Sequence, residues 1–342
     1  SPAQGAGLPS GSPAQAPPNS PFAAPTASPG FASKSTSKIE YEGRRQLEIN
    51  LVAMNFAPER IPSEAVEIAP DTFWIGKRPP GQIFYANPFL RRFRGTNQAT
   101  NKAAEFNLII DPGSSSDFAV VRAKTEQVIG SVDRLSAVFI NHQDPDVGSS
   151  TGVILGRHAP KAKVLCSEET WRLVQYYNIP RDRLIALEKH PKGLKLATGH
   201  RMIPVPSPFC HFVGAVMLYD VETKVLFTGD LFGGLTDAKA TGLYADESDW
   251  VGIRAFHQIY MPTNKAIKRA IKLIRALTPR VELIAPQHGR LIHGEWLEFY
   301  MKKLEELEVG TDLMLVDDVS PEETRAWGTV LNRVLSTASD LL

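Results

Sequence analysis

Residues 137–150 read Ala-Val-Phe-Ile-Asn-His-Gln-Asp-Pro-Asp-Val-Gly-Ser-Ser, and no other stretch limits the fold so strongly. The apolar run 137–140 has the form of a buried strand. It is followed at once by His142, Asp144 and Asp146, three potential metal ligands at alternate positions. Two carboxylates this close cost several kcal/mol to bury unless something positive neutralises them, and Pro145 stiffens the loop that holds them. One metal ion, or two, is the simplest neutralising agent. The rest of the chain must then bring further ligands to the end of this strand.

Other apolar runs alternate with turn-rich stretches and with helical periods. Strands are expected at 47–53, 72–75, 82–86, 106–111, 163–166, 184–187, 202–205, 215–219, 225–228 and 281–285. Helices are expected at 118–132, 150–157, 266–277 and 295–308, and from Ser167, an N-cap with Glu168 and Glu169 in the first turn, through Tyr177. Ser320-Pro-Glu-Glu323 has the form of a capped helix start, with Trp327, Val330, Leu331 and Val334 as an apolar stripe behind it. The basic face of 265–275 reads as a solvated surface.

Three of these strands run into ligand-type residues: His211 precedes 215–219, Asp230 follows 225–228, and His288 follows 281–285. Together with His142, Asp144 and Asp146 they make six candidates on loops that one sheet edge can gather. His158, His190, His200, His257 and His293 read as ordinary surface or core histidines. By position alone, Gln143, His257 and Tyr260 are also candidates to line the pocket or support the ligands.

In this order the motifs resemble the metallo-β-lactamase superfamily, and within it the iron-binding branch of flavodiiron and oxygen-binding diiron proteins. The resemblance spans residues 71–308. It rests on Phe73-Trp-Ile-Gly76, Leu108-Ile-Ile-Asp-Pro-Gly113, His142-Gln-Asp-Pro-Asp146, His211-Phe-Val-Gly214, Leu226-Phe-Thr-Gly-Asp-Leu-Phe-Gly233 and Ile284-Ala-Pro-Gln-His-Gly289. It implies an α+β fold, an αββα sandwich of two packed sheets flanked by helices, with a dinuclear site at one edge. It puts His142, Asp144 and His211 on the first metal, Asp230 between the two, and Asp146 with His288 on the second. Hydrolytic zinc members have histidine where this chain has Asp144, and the carboxylate favours iron. Flavodiiron proteins keep a histidine where this chain has Val147, so the second metal has open positions, as in the oxygen-binding branch.

The expectation is therefore a non-haem diiron domain with two iron ions that binds O2 as a sensor or carrier, with no residue given a catalytic role. Two alternatives stay open: an O2 or NO reductase fed by a separate donor, and a dinuclear hydrolase of the phosphodiesterase type. The chain carries no glycine-rich phosphate loop and too few residues after the last ligand for a flavodoxin-like domain, so no flavin is expected on it. A redox or signalling partner protein and a homodimer are what the resemblance implies.

The totals agree. With 38 basic and 37 acidic residues no global field recruits nucleic acid. No apolar run reaches membrane-spanning length, no signal peptide opens the chain, and Cys166 and Cys210 stand apart in apolar surroundings, all of which suit a cytoplasmic protein. Residues 1–38, almost wholly Pro, Ala, Ser, Gly and Gln, read as a disordered tail or linker. Residues 39–310 read as the diiron domain and 311–342 as a helical extension.

Overall fold

The computed structural model describes residues 64–313, except Pro80 and Gln98. The expected tail 1–38, the strand at 47–53 and the capped helix at 320–323 lie outside the described residues.

Seven strands form the first sheet in sequence order: β1 (Val66–Ala69), β2 (Thr72–Trp74), β3 (Phe89–Asn97), β4 (Lys102–Ile110), β5 (Ala137–Phe139), β6 (Lys163–Cys166) and β7 (Leu184–Ala186). β1 to β4 are antiparallel, and β4 to β7 run parallel through helical crossovers. The second sheet contains β8 (Leu194–Lys195), β9 (Arg201–Pro206), β10 (Val216–Asp220), β11 (Val225–Gly229), β12 (Leu283–Pro286) and β13 (Ile292–His293). Its order is β13-β12-β11-β10-β9-β8, with one parallel pair, β11 and β12. Five longer helices accompany the sheets: α1 (Phe118–Ile129), α2 (Glu168–Val174), α3 (Trp250–Tyr260), α4 (Asn264–Arg275) and α5 (Trp296–Glu306).

Side-chain alternation sorts these elements into four layers. Leu108, Ile110 and Phe139 of the first sheet face Leu218, Phe227 and Ala285 of the second across a shared apolar core. Their neighbours Ile109 and Val138 point the other way, onto Val121 and Ile129 of α1 and Trp171 of α2. Met217, Leu226 and Ile284 likewise turn outward onto Ile253 of α3, Ile267 and Ile271 of α4, and Tyr300 of α5. The result is the expected αββα sandwich. Basic residues of α4 lie on its solvent side, where Arg275 pairs with Glu298 and Glu305. Both cysteines are buried and free. No helix among the described residues is long and apolar enough to cross a membrane.

The short strands β1, β8 and β13 were not placed by the sequence reading, and three further elements depart from it. β3 was not expected, because its run Phe-Leu-Arg-Arg-Phe-Arg carries three arginines. Arg91 shares the inward face with Phe89 and Phe93, and it is buried there because its Nε donates to Asp220 Oδ2 at 2.7 Å, a partner in the other sheet. α3 was also missed, although Asp246 and Asp249 form a capping box just before it. Conversely, 82–86 is not a strand. It is a loop with one bridge, Ala86 to His288, and its aromatic residues serve the site.

Candidate metal centre

The strand ends of both sheets meet at one edge of the sandwich. After β5 the chain enters a helical turn, Pro145–Gly148, with Pro145 at its first position and Asp144 as its N-cap. The Asp144 carboxylate caps nothing, so both its oxygens are available: Gln143 Nε2 donates to Oδ1 at 2.6 Å, and Oδ2 faces His211 Nε2 at 3.1 Å. Tyr177 steadies this loop by donating to the Gln143 carbonyl. The His211 loop, 207–215, is docked on the start of α2, where Ser167 and Thr170 hydroxyls both donate to the Gly214 carbonyl. The expected N-cap Ser167 thus has a second task.

Asp230 stands where β11 turns away from β12. Its Oδ2 lies 3.1 Å from His211 Nε2 and 3.6 Å from His142 Nε2, while its Oδ1 lies 3.5 Å from His288 Nε2. Asp146 Oδ2 is 3.4 Å from the same His288 nitrogen. The six residues therefore fall into two neighbouring groups that share Asp230. One ligand atom each from His142, Asp144, His211 and Asp230 lie within 4.8 Å of one another, a metal-sized convergence.

Each buried imidazole is turned by its far nitrogen. His142 Nδ1 donates to Asn141 Oδ1 at 2.9 Å, and His288 Nδ1 donates to the Tyr85 carbonyl at 2.8 Å, so both Nε2 atoms face inward. Asn141 also donates to the Val216 carbonyl, tying the two sheets together beside the ligand. Inside the cluster, His142 Nε2 and Asp230 Oδ1 are buried with no hydrogen-bond partner. Orphaned polar atoms are costly, and a cation between them would satisfy both. Three imidazoles and three carboxylates are a donor set that iron accepts readily.

The electrostatics point the same way. Burial works against ionised Asp230, yet His142, His211 and His288 outweigh it and hold the carboxyl down at about 2. Burial also opposes a charged His211, but hydrogen bonding and attraction from Asp144 and Asp230 lift it to about 10. His142 is raised as well, against its burial, by Asp230 and Asp144. Asp146 goes up, chiefly through burial. The site therefore strongly favours positive charge.

Aromatic residues wall the cluster on the side of the second sheet. Phe84 stacks on His288 with ring centroids 4.3 Å apart, Phe256 lies against both His288 and Tyr260, and the Tyr260 ring is 6.0 Å from His211. Of the three residues proposed by position alone, Gln143 touches Asp144 directly, Tyr260 overlooks His211, and His257 lies behind the Asp230 turn. The sequence reading missed Asn141, Tyr85 and Phe84. Phe84 and Tyr85 meet His288 only in space, and Asn141, although it adjoins His142 in the chain, shows its role only through its bond to the Val216 carbonyl. Val147 is fully buried and packs in the apolar layer behind the first sheet with Ile140 and Ile154.

Two face-to-face sheets between helices, with histidines and carboxylates gathered at their common edge, define a metallo-β-lactamase-like protein of the diiron branch. The chain belongs to the family described as ODP family beta lactamase, whose sequence model matches residues 95–289. It is similar to the chemotaxis sensor ODP, solved as a peroxy diiron species, at 27% identity and a TM-score of 0.57 over 73% of this chain and 96% of that one. The apo state of the same sensor from T. denticola gives 27% identity and a TM-score of 0.59 with equal coverage. The rubredoxin oxygen:oxidoreductase of Desulfovibrio gigas shares the fold, with a TM-score of 0.60 at 14% identity over 71% of this chain and 61% of that one. Among curated relatives, the anaerobic nitric oxide reductase flavorubredoxin of Aeromonas salmonicida is 21% identical over 253 residues, 70% of this chain and 46% of its own length. The type A flavoprotein fprA of Rhodobacter capsulatus is 24% identical over 237 residues, 68% of this chain and 53% of its own. The chain spans about half the length of these two relatives.

Proposed function

We propose that this chain is a non-haem diiron domain that binds O2 as a sensor or carrier. His142, Asp144 and His211 hold one iron, Asp146 and His288 the other, and Asp230 lies between them. The observation that carries this reading is Asp230, whose two oxygens face different groups of ligands. The similarity to a chemotaxis sensor solved as a peroxy diiron species supports O2 as the ligand. Two ferrous ions, when bound, supply the electrons and open positions that O2 needs.

The chain's own residues do the rest. Asn141 and the Tyr85 carbonyl fix the tautomers of His142 and His288, and Gln143 holds Asp144 in place through one oxygen. Phe84 and Phe256 shield the His288 side from water. Because the ligands sit on loops from both sheets, a change in charge at the site alters the contacts that hold those loops. A partner protein then receives the signal. In a second reading, favoured by the relatives named for nitric oxide reduction, such a partner supplies electrons for turnover of O2 or NO.

Anaerobic reduction of the iron-loaded protein, followed by O2, tests the choice. A visible absorption band that persists supports a sensor or carrier. Rapid bleaching with continued O2 consumption in the presence of an artificial donor supports a reductase. Isolation with two zinc ions and hydrolytic turnover would discard both.

Metal loading should also release protons. A metal ligand must be neutral imidazole, whereas metal-free His211, raised to about 10, carries a proton at neutral pH. Between the ordinary histidine value and about 10, apparent affinity should therefore rise with pH, by up to about tenfold per pH unit for each proton displaced. Stopped-flow mixing with an indicator dye in weak buffer measures the release. Loading without proton release at pH 7 would mean that no proton is displaced from His211.

A further inference from the structure

The turn that carries Asp230 is held from behind by α3. Phe232, two residues after Asp230, has a left-handed backbone with φ +68°, which a non-glycine residue adopts only when its surroundings impose it. Its N–H donates to His257 Nε2 at 3.0 Å, and His257 Nδ1 donates to the Ile253 carbonyl one turn earlier in α3 at 2.7 Å. His257 is thus a neutral imidazole with both nitrogens committed, and it is completely buried. Burial pushes its pKa down to about 4, so it keeps this form throughout the neutral range. The same turn touches α3 at two more places. A Cβ on Gly233 would press on the Phe256 ring at 3.0 Å, and Leu235 N–H donates to the Gly252 carbonyl at 3.3 Å.

We propose that His257 is a positioning residue for the bridging carboxylate: by accepting the Phe232 N–H it fixes the left-handed turn that holds Asp230 between the two groups of ligands. The inference rests on the diiron reading above. A histidine suits this post because its ring spans the gap from α3 to the turn and accepts on one side while donating on the other. With an apolar residue there, the Phe232 amide is buried without a partner and the strained turn has nothing to hold it. The turn then relaxes, and Asp230 no longer faces both groups.

The test compares His257→Leu with His257→Gln in the full chain, since the Gln side-chain oxygen reaches roughly where Nε2 stood. Ferrous ion is titrated anaerobically, magnetic coupling between the two ions is followed by Mössbauer spectroscopy, and amide exchange at Phe232 is followed in metal-free protein. In wild type, two coupled ions and a protected amide are expected. In His257→Leu, the affinity for the second ion should fall about 10–100-fold, the size of effect seen when groups supporting metal ligands are removed. Coupling should fade, and Phe232 should exchange fast. His257→Gln should restore the coupling and most of the protection, which a merely space-filling role would not predict.

Wild-type coupling and affinity in His257→Leu would overturn the assignment, as would equal losses in both variants. A wild type that holds fewer than two ions would sink the diiron reading and the bridge with it. Amide exchange would still decide whether His257 fixes the turn.

Discussion

Asp230→Ala should leave the protein unable to hold two metal ions. Asp230 is 2% exposed and is the only one of the six residues that faces both groups, lying within 3.6 Å of three imidazole nitrogens. On the diiron reading, removing it would delete a donor from each ion and the negative charge that draws both together. The loss in affinity should exceed the ~10–100-fold typical of a supporting residue. Asp230→Asn, which keeps the shape and loses the charge, should fail nearly as badly. Equilibrium dialysis with ferrous ion and metal analysis measure this, and two ions bound at wild-type affinity in either variant would refute the shared role.

The metal-free variant carries a second signature. Since the folded pKa of Asp230 is depressed to about 2, its charge contributes stability above the unfolded value, and that contribution is lost as pH falls through about 2. Asp230→Ala should therefore be weaker than wild type at neutral pH, by on the order of 2 kcal/mol, and should converge with it in strong acid.

The second large effect is expected from a single methyl group. Gly229 has φ +61°, and a Cβ built on it would overlap the Asn141 side chain. Asn141 has nowhere to go, because one end of its amide holds the Val216 carbonyl and the other holds His142. Gly229→Ala thus combines backbone strain with overpacking at the point where the two sheets meet the site, and should cost about 3–5 kcal/mol. For a domain of this size that is a fall of roughly 10 °C in melting temperature. Adding Asn141→Ala should make room and recover part of the stability while metal affinity stays low, because His142 has then lost the group that orients it. Recovery of both would mean that Asn141 only fills space.

How much of this was legible differs by element. The six candidate ligands stood out because each adjoins an apolar strand, and strands of one sandwich deliver their ends to a common edge. β5, β11 and β12 could be read for the same reason: both faces are covered, so they are short continuous apolar runs. β3 could not. Its arginines look like loop residues until Asp220, far along the chain, supplies the charge that lets Arg91 enter the core. α3 hides because Gly252, in its first turn, is needed for close approach to Leu235 and lowers the helical signal. Residues 82–86 misled in the opposite sense, since the Phe84 ring stacks on His288 and the Tyr85 side chain reaches Thr236 and the Gly289 carbonyl, neither serving a strand. His257 shows the limit most clearly. Its role depends on an amide 25 residues away that carries no side-chain signature.

The division of ligands between the sheets also sets the moment at which the site can exist. His142, Asp144 and Asp146 leave the ribosome before the other three, and His288 follows His142 by 146 residues. At 5–20 residues per second that is a delay of roughly 7–30 s, during which the first half of the cluster stands beside an incomplete second sheet. Iron met in that interval can be held only by an incomplete set of ligands. On the diiron reading, faithful loading must therefore wait until β12 has slotted in beside β11, so that metal is acquired only after the strands of both sheets that carry ligands have come together.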